Sequence, residues 1–150
     1  MREQATRETM RPRRAGKVAE PSVNLPGYGG GVPPTNTHDL VTRGRQALAA
    51  GDPLTAAKLL AEAADTEPDN ASLLTDLARA HFHSASLGRA EQVLQRLVEI
   101  DPTDGYARML LGRTLQRQSR REEALTQLRL AVALTDDPEV AMQLFKAEQG

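Results

Sequence analysis

A thirty-four-residue period constrains this chain more than any other feature. Carrying the spacing of Pro68 and Pro102 along the sequence lays residues 37–70 over 71–104 and over 105–138. Gly44, Ala78 and Gly112 then coincide, as do Ala56, Ala90 and Ala124. Leu60, Leu94 and Leu128 fall at a third phase, and Ala63, Leu97 and Ala131 at a fourth. A unit of this length cannot bury its apolar face alone, so it must stack on copies of itself.

Each unit reads as two helices. Leu40, Gly44, Ala47 and Leu48 make one apolar stripe at helical spacing. Gly51 is the residue that ends this helix, and Asp52-Pro53 supplies an N-cap and first-turn proline for the next. The second helix runs to about Thr66, where Pro68 stops it. Ser86 and Pro102 repeat the pattern, and Ser119 to Glu122 spells a capping box in the third unit. The small residues have a packing reason: antiparallel helices approach closely only where side chains are short. Gly44, Ala78 and Gly112 are expected to face the partner helix of their own pair. Ala56, Ala90 and Ala124 are expected to meet a neighbouring helix. Residues 139–150 form a further helix, apolar at Val140, Leu144 and Phe145, that caps the exposed end of the stack.

Composition supports an all-α chain. Ala and Leu carry most of the apolar share, while aromatic residues make up 3%. The 150 residues contain no Cys, which excludes a disulfide framework, a thiol nucleophile and a Cys-ligated metal. Residues 1–36 differ from the rest. They carry a net charge of +3 and the segment VNLPGYGGGVPP, whose glycines and prolines forbid a helix, so they read as a disordered or extended arm. No apolar run is long enough to span a membrane, and the basic start lacks the apolar core of a signal peptide, making the cytoplasm the expected compartment.

The repeat resembles the tetratricopeptide repeat, a 34-residue unit with a small residue at phase 8, Ala at phase 20, a small or apolar residue at phase 27 and Pro at phase 32. The matches are Gly44, Ala56, Ala63 and Pro68, then Ala78, Ala90, Leu97 and Pro102, then Gly112, Ala124 and Ala131. The third unit has Asp136 where Pro is usual. The resemblance implies a short right-handed solenoid of three helix hairpins, whose concave wall is built by the first helix of each pair. It implies that Arg45, Leu48, Arg79, Phe82, His83, Tyr106, Met109, Leu110, Arg113 and Arg117 line that groove. Arg45, Arg79 and Arg113 recur at one phase and would form a ladder joined by Arg117. A row of guanidiniums suits carboxylates, which arginine holds with two bonds at once. Phe82, Tyr106, Met109 and Leu110 would form its apolar floor. Members of this family that clamp a chaperone's terminal carboxylate use Lys and Asn where this chain has Val41, Arg45, Asp76, Tyr106 and Leu110. That clamp is absent.

The function expected is therefore a non-catalytic protein–protein interaction module, an adaptor or assembly factor, taking a protein or peptide segment of acidic character in its groove. Two alternatives stand beside it. One is an accessory subunit docking through its N-terminal arm; the other is a weak nucleic-acid tether through Arg11 to Arg14. Near-neutral net charge argues against a dedicated nucleic-acid binder. Self-association is a further rival, since Arg121 stands at a usually aromatic phase. No cofactor or metal is expected. His81 and His83 are two residues apart and point to different helix faces, so they cannot share a metal as an i, i+4 pair would. His81 falls at a core phase, His38 near an exposed helix start. Asp136, Asp137 and Glu139 lack the spacing of a calcium loop, and Gly27 to Gly31 lacks the Lys-Ser/Thr of a phosphate loop.

Overall fold

Asn36, Asn70 and Asp104 recur with the same period, and each side chain accepts a hydrogen bond from the backbone N–H three residues on, at 2.7, 3.1 and 3.0 Å. These caps, each worth about 0.5–2 kcal/mol, open α1 (Thr37–Ala49), α3 (Ala71–His83) and α5 (Gly105–Arg117). The computed structural model describes residues 36–150. The expectations for the arm, its basic run and its glycine-rich stretch lie outside the described residues. α2 (Pro53–Thr66), α4 (Leu87–Ile100) and α6 (Arg121–Leu134) complete three hairpins, and α7 (Pro138–Gln149) follows. Asp52 caps α2 by accepting from the Thr55 N–H at 3.2 Å. Asp137 caps α7 by accepting from the Glu139 N–H at 2.9 Å.

The corners inside the hairpins share one geometry. Gly51, Ala85 and Ser119 have φ of 79°, 62° and 64°. After each, the next N–H reaches back to close the ending helix: Asp52 to the Ala47 carbonyl at 2.8 Å, Ser86 to His81 at 2.8 Å, Arg120 to Leu115 at 2.9 Å. This is a Schellman closure. Only the first corner has the glycine that this conformation favours; a side chain there costs roughly 1–2 kcal/mol. It also corrects the expected capping box. Ser119 closes α5 in the left-handed region and cannot open α6, whose N-cap is Arg120, without a side-chain cap bond. Ser86 stands at the N-cap of α4 as expected, but its side chain makes no cap bond.

Packing follows the small phases. A Cβ on Gly44 would lie 2.6 Å from Leu60 Cγ, and one on Gly112 2.7 Å from Leu128 Cγ. The helices of the first and third hairpins therefore meet with nothing between backbone and leucine. Ala56, Ala78, Ala90 and Ala124, with Leu60, Leu94 and Leu128, are buried. Each hairpin also packs on the next through α2 with α3 and α4 with α5, and α7 lies on α6 and α5. Val140 and Ala147 of α7 are buried with Met109, Leu125, Leu128 and Ala131. Phe145, expected in that seam, is 58% exposed. It adjoins Leu144, and a helix turns neighbouring residues to different faces. Arg121 helps hold α7, its Nη2 donating to the Glu148 carbonyl at 3.1 Å, while Arg129 pairs with the Glu148 carboxylate at 3.5 Å. Among the described residues, no helix is long and apolar enough to cross a membrane.

Candidate functional site

α1, α3 and α5 lie side by side, and polar side chains join them. Arg45 on α1 donates through Nε to Asp76 at 2.5 Å and through Nη2 to Ser72 Oγ at 2.9 Å, both on α3. Arg79 also meets the Asp76 carboxylate, at 3.5 Å. The three rungs expected at one phase are therefore unequal, because an acid one turn from Arg79 holds the first of them.

The other cations gather around Phe82. The guanidinium carbons of Arg113 and Arg117 lie 5.0 and 4.7 Å from its ring centroid. Such contacts contribute about 0.5–2 kcal/mol each. Arg117 Nη1 also donates to the Phe82 carbonyl at 2.8 Å. That bond satisfies an open acceptor at the negative end of α3. His83 packs edge-on against Phe82, with centroids 5.5 Å apart. Partial burial holds the His83 pKa below the ordinary imidazole range, and Arg79, Arg113 and Arg117 each push it further down. The imidazole therefore lies close to three positive charges. Among the described residues, no carboxylate lies within ion-pair distance of Arg113 or Arg117, and the only one paired with Arg79 is Asp76.

The expected apolar floor needs correcting. Phe82, Met109 and Leu110 are 4%, 6% and 2% exposed, so they belong to the core and not to a surface a partner could touch. Phe82 lies under Arg113 and Arg117, and Met109 packs with the α6–α7 cluster. Leu48 is half-buried and packs against the core; Tyr106 is exposed. The first rung borders a cavity of about 250 Å³ lined by Thr37, His38, Val41, Arg45, Asn70 and Leu73. Asp76 is the residue that decides how much charge this wall presents, and Ser72 helps to hold Arg45 beside it. Asp76 was legible as a partner of Arg79; its hold on Arg45 spans two helices and had no local signal.

His81 is buried as its phase implied, yet among the described residues its Nδ1 has no hydrogen-bond partner. Burial, and then Arg89, lower its pKa. Among the described residues no group of three potential metal ligands occurs. On the opposite wall, Arg120 bridges Glu91 and Glu123 at 2.8 and 2.7 Å, and Arg96 pairs with Asp69 and Glu99.

The family model for the tetratricopeptide repeat matches residues 47–113 and again 86–144. The chain belongs to the tetratricopeptide repeat family. No curated protein matches it closely enough to count as a relative. Solved structures show the same fold. The first repeat domain of Spaghetti (RPAP3), bound to the HSP90 peptide SRMEEVD, superposes with a TM-score of 0.70 at 22% identity, over 76% of this chain and 91% of that one. The Sgt2 domain from Aspergillus fumigatus gives 0.70 at 18% identity, over 78% and 80%. The TPR2B domain of yeast Sti1, in a complex with pHsp70, gives 0.69 at 19% identity, over 75% and 96%. The described helices therefore form an all-α solenoid of tetratricopeptide repeats.

Proposed function

We propose that this protein is a non-catalytic, cytoplasmic interaction module, an adaptor or assembly factor, that captures an acidic partner segment on the wall formed by α3 and α5. The observation that carries the reading is the group of Arg79, Arg113 and Arg117 around Phe82 and His83, with Asp76 the only acid paired with them among the described residues. Stacking on Phe82 holds Arg113 and Arg117 before a partner arrives, which lowers the entropy lost on binding. Guanidiniums bind carboxylates with two parallel bonds, so glutamate or aspartate side chains are the chemistry this wall fits.

The HSP90 peptide held by the Spaghetti domain contains acidic residues, which supports an acidic segment as the class of partner. The mode proposed here differs from a terminal-carboxylate clamp. Asp76 stands at one of the clamp's positions and occupies Arg45 at another. Side-chain carboxylates along a segment, rather than its last residue, are the proposed contacts.

Fluorescence anisotropy tests the reading, using the full chain, a labelled ten-residue peptide alternating Glu and Ala, and the same peptide with Gln for Glu. The Glu peptide should bind, and should weaken at least tenfold when Arg79, Arg113 and Arg117 all become Gln. A variant losing equal charge elsewhere (Arg43, Arg96 and Lys146 to Gln) should stay within about twofold. Equal losses in both variants, or equal binding of the Gln peptide, would refute capture by this wall. Circular dichroism of the triple variant checks that losing the Arg117 bond to the Phe82 carbonyl leaves the helices intact, as the comparison requires.

A further inference from the structure

The repeat places two crevices at equivalent positions on the opposite wall, one between α2 and α4, the other between α4 and α6. They differ in where their charges end. In the α4–α6 crevice, Glu91 and Glu123 are both paired with Arg120, which also donates to Gln118 at 3.0 Å. Thirty-four residues earlier, Ser86 stands for Arg120, Ala57 for Glu91, Arg89 for Glu123 and His81 for Leu115. The sign of the charge has inverted and the internal counter-charge is gone. Among the described residues, neither Arg89 nor Lys58 has a carboxylate within ion-pair distance. Asp52, the acid whose charge Lys58 does reach, is occupied in capping α2.

What remains is a cavity of about 290 Å³ walled by Leu54, Ala57 and Ala61 from α2 and by His81 and Arg89 across it, with Lys58 beside them. His81 is 8% exposed, its Nδ1 has no partner among the described residues, and it lines this cavity where the next repeat has a leucine. Ser86, at the start of α4, leaves that helix without a side-chain cap, so the positive end of α4 opens on the same space. At about 30 Å³ for a water-sized group, roughly eight to ten heavy atoms fit.

We propose that the α2–α4 crevice is a second binding site, separate from the α3–α5 wall, for a carboxylate on a short apolar stem. The stem lies against Leu54, Ala57 and Ala61. The carboxylate sits between Lys58 and Arg89, which both line the cavity. His81 forms the uncharged back of the site: burial and Arg89 keep its imidazole neutral near pH 7, and a bound anion, by offsetting Arg89, raises its pKa. Two sources share this chemistry: a free organic acid and the apolar C-terminal residue of another chain.

The test is an NMR titration of the full chain with hexanoate, N-acetyl-leucine and hexanol at constant ionic strength. Hexanoate should saturate at roughly millimolar concentration, with shifts centred on residues 58, 81 and 89 and an upward move of the His81 titration. Hexanol should bind at least tenfold more weakly. Arg89→Gln and Lys58→Gln, both at exposed positions, should each weaken hexanoate several-fold without changing the thermal midpoint. The double change Ser86→Arg with Arg89→Glu, which installs the internal pair of the next repeat, should abolish it. Tighter binding of N-acetyl-leucine than hexanoate assigns the site to a chain terminus; the reverse assigns it to a free acid. Equal binding of hexanol and hexanoate, shifts centred elsewhere, or indifference to Arg89→Gln would overturn the proposal. None of these variants touches Arg79, Arg113 or Arg117, so the outcome is independent of the α3–α5 wall.

Discussion

Replacing Gly112 with alanine adds one methyl group where two helices leave no room for it. The new Cβ would stand 2.7 Å from Leu128 Cγ, 2.9 Å from Leu128 Cδ2 and 3.1 Å from the Ala124 carbonyl oxygen. Leu128 is fully buried and cannot swing into solvent, and the carbonyl belongs to the α6 backbone. Two effects oppose each other. Alanine favours the helix over glycine by about 1 kcal/mol. Forcing a methyl into a packed core costs about 1–3 kcal/mol, toward the upper end where backbone must move. The net expectation is destabilisation by about 1–2 kcal/mol, or roughly 4–8 °C in Tm for a body of this size. Gly88 is the control, since a Cβ there meets nothing within 4 Å. Gly88→Ala should leave stability unchanged or raise it by up to about 1 kcal/mol. Urea denaturation followed by circular dichroism measures both. If Gly112→Ala stabilises as Gly88→Ala does, then α5 and α6 do not meet at this glycine and the packing account is wrong.

Ala85→Gly and Ser119→Gly should each stabilise the chain by about 0.5–1 kcal/mol, because both residues hold the left-handed conformation that Gly51 already fits; thermal melts that show no gain would mean the corners are relaxed. His81→Leu, copying Leu115, should raise stability and reduce its fall between pH 7 and 5. The folded pKa of His81 is depressed, so the unfolded chain binds the proton more readily and stability drains as pH drops through the ordinary imidazole range. An unaltered pH profile in that variant would place the titration elsewhere. Asp76→Asn should tighten binding of the acidic peptide several-fold by freeing Arg45 and Arg79; weaker binding would show that Asp76 positions those arginines rather than masking them.

Much of the fold was legible because it is written locally. Gly44, Ala56 and Leu60 recur with the period, and Asp52-Pro53 and Gly51 mark helix ends by chemistry that acts within a few residues. The corners at Ala85 and Ser119 were not legible, since neither residue advertises a positive φ and Ser119 resembled a cap. The wall was legible in part. Arginine recurs at one phase, but Asp76 binds Arg45 across thirty-one positions and Arg120 reaches Glu91 across twenty-nine. Pairings of that range leave no periodic trace. Phase alone puts Met109 and Leu110 on the surface, but Met109 is buried in the α6–α7 cluster and Leu110 in the core shared by the hairpins.

The most direct test of arginine capture on the inner wall is a map of where an acidic peptide touches the molecule. An isotope-labelled full chain titrated with the Glu-Ala peptide should show its largest amide shifts in α3 and α5, around residues 79–83 and 113–117, and a rise in the His83 pKa as bound carboxylates offset the three arginines. Shifts concentrated on α2, α4 and α6, with the His83 titration unmoved, would contradict the account.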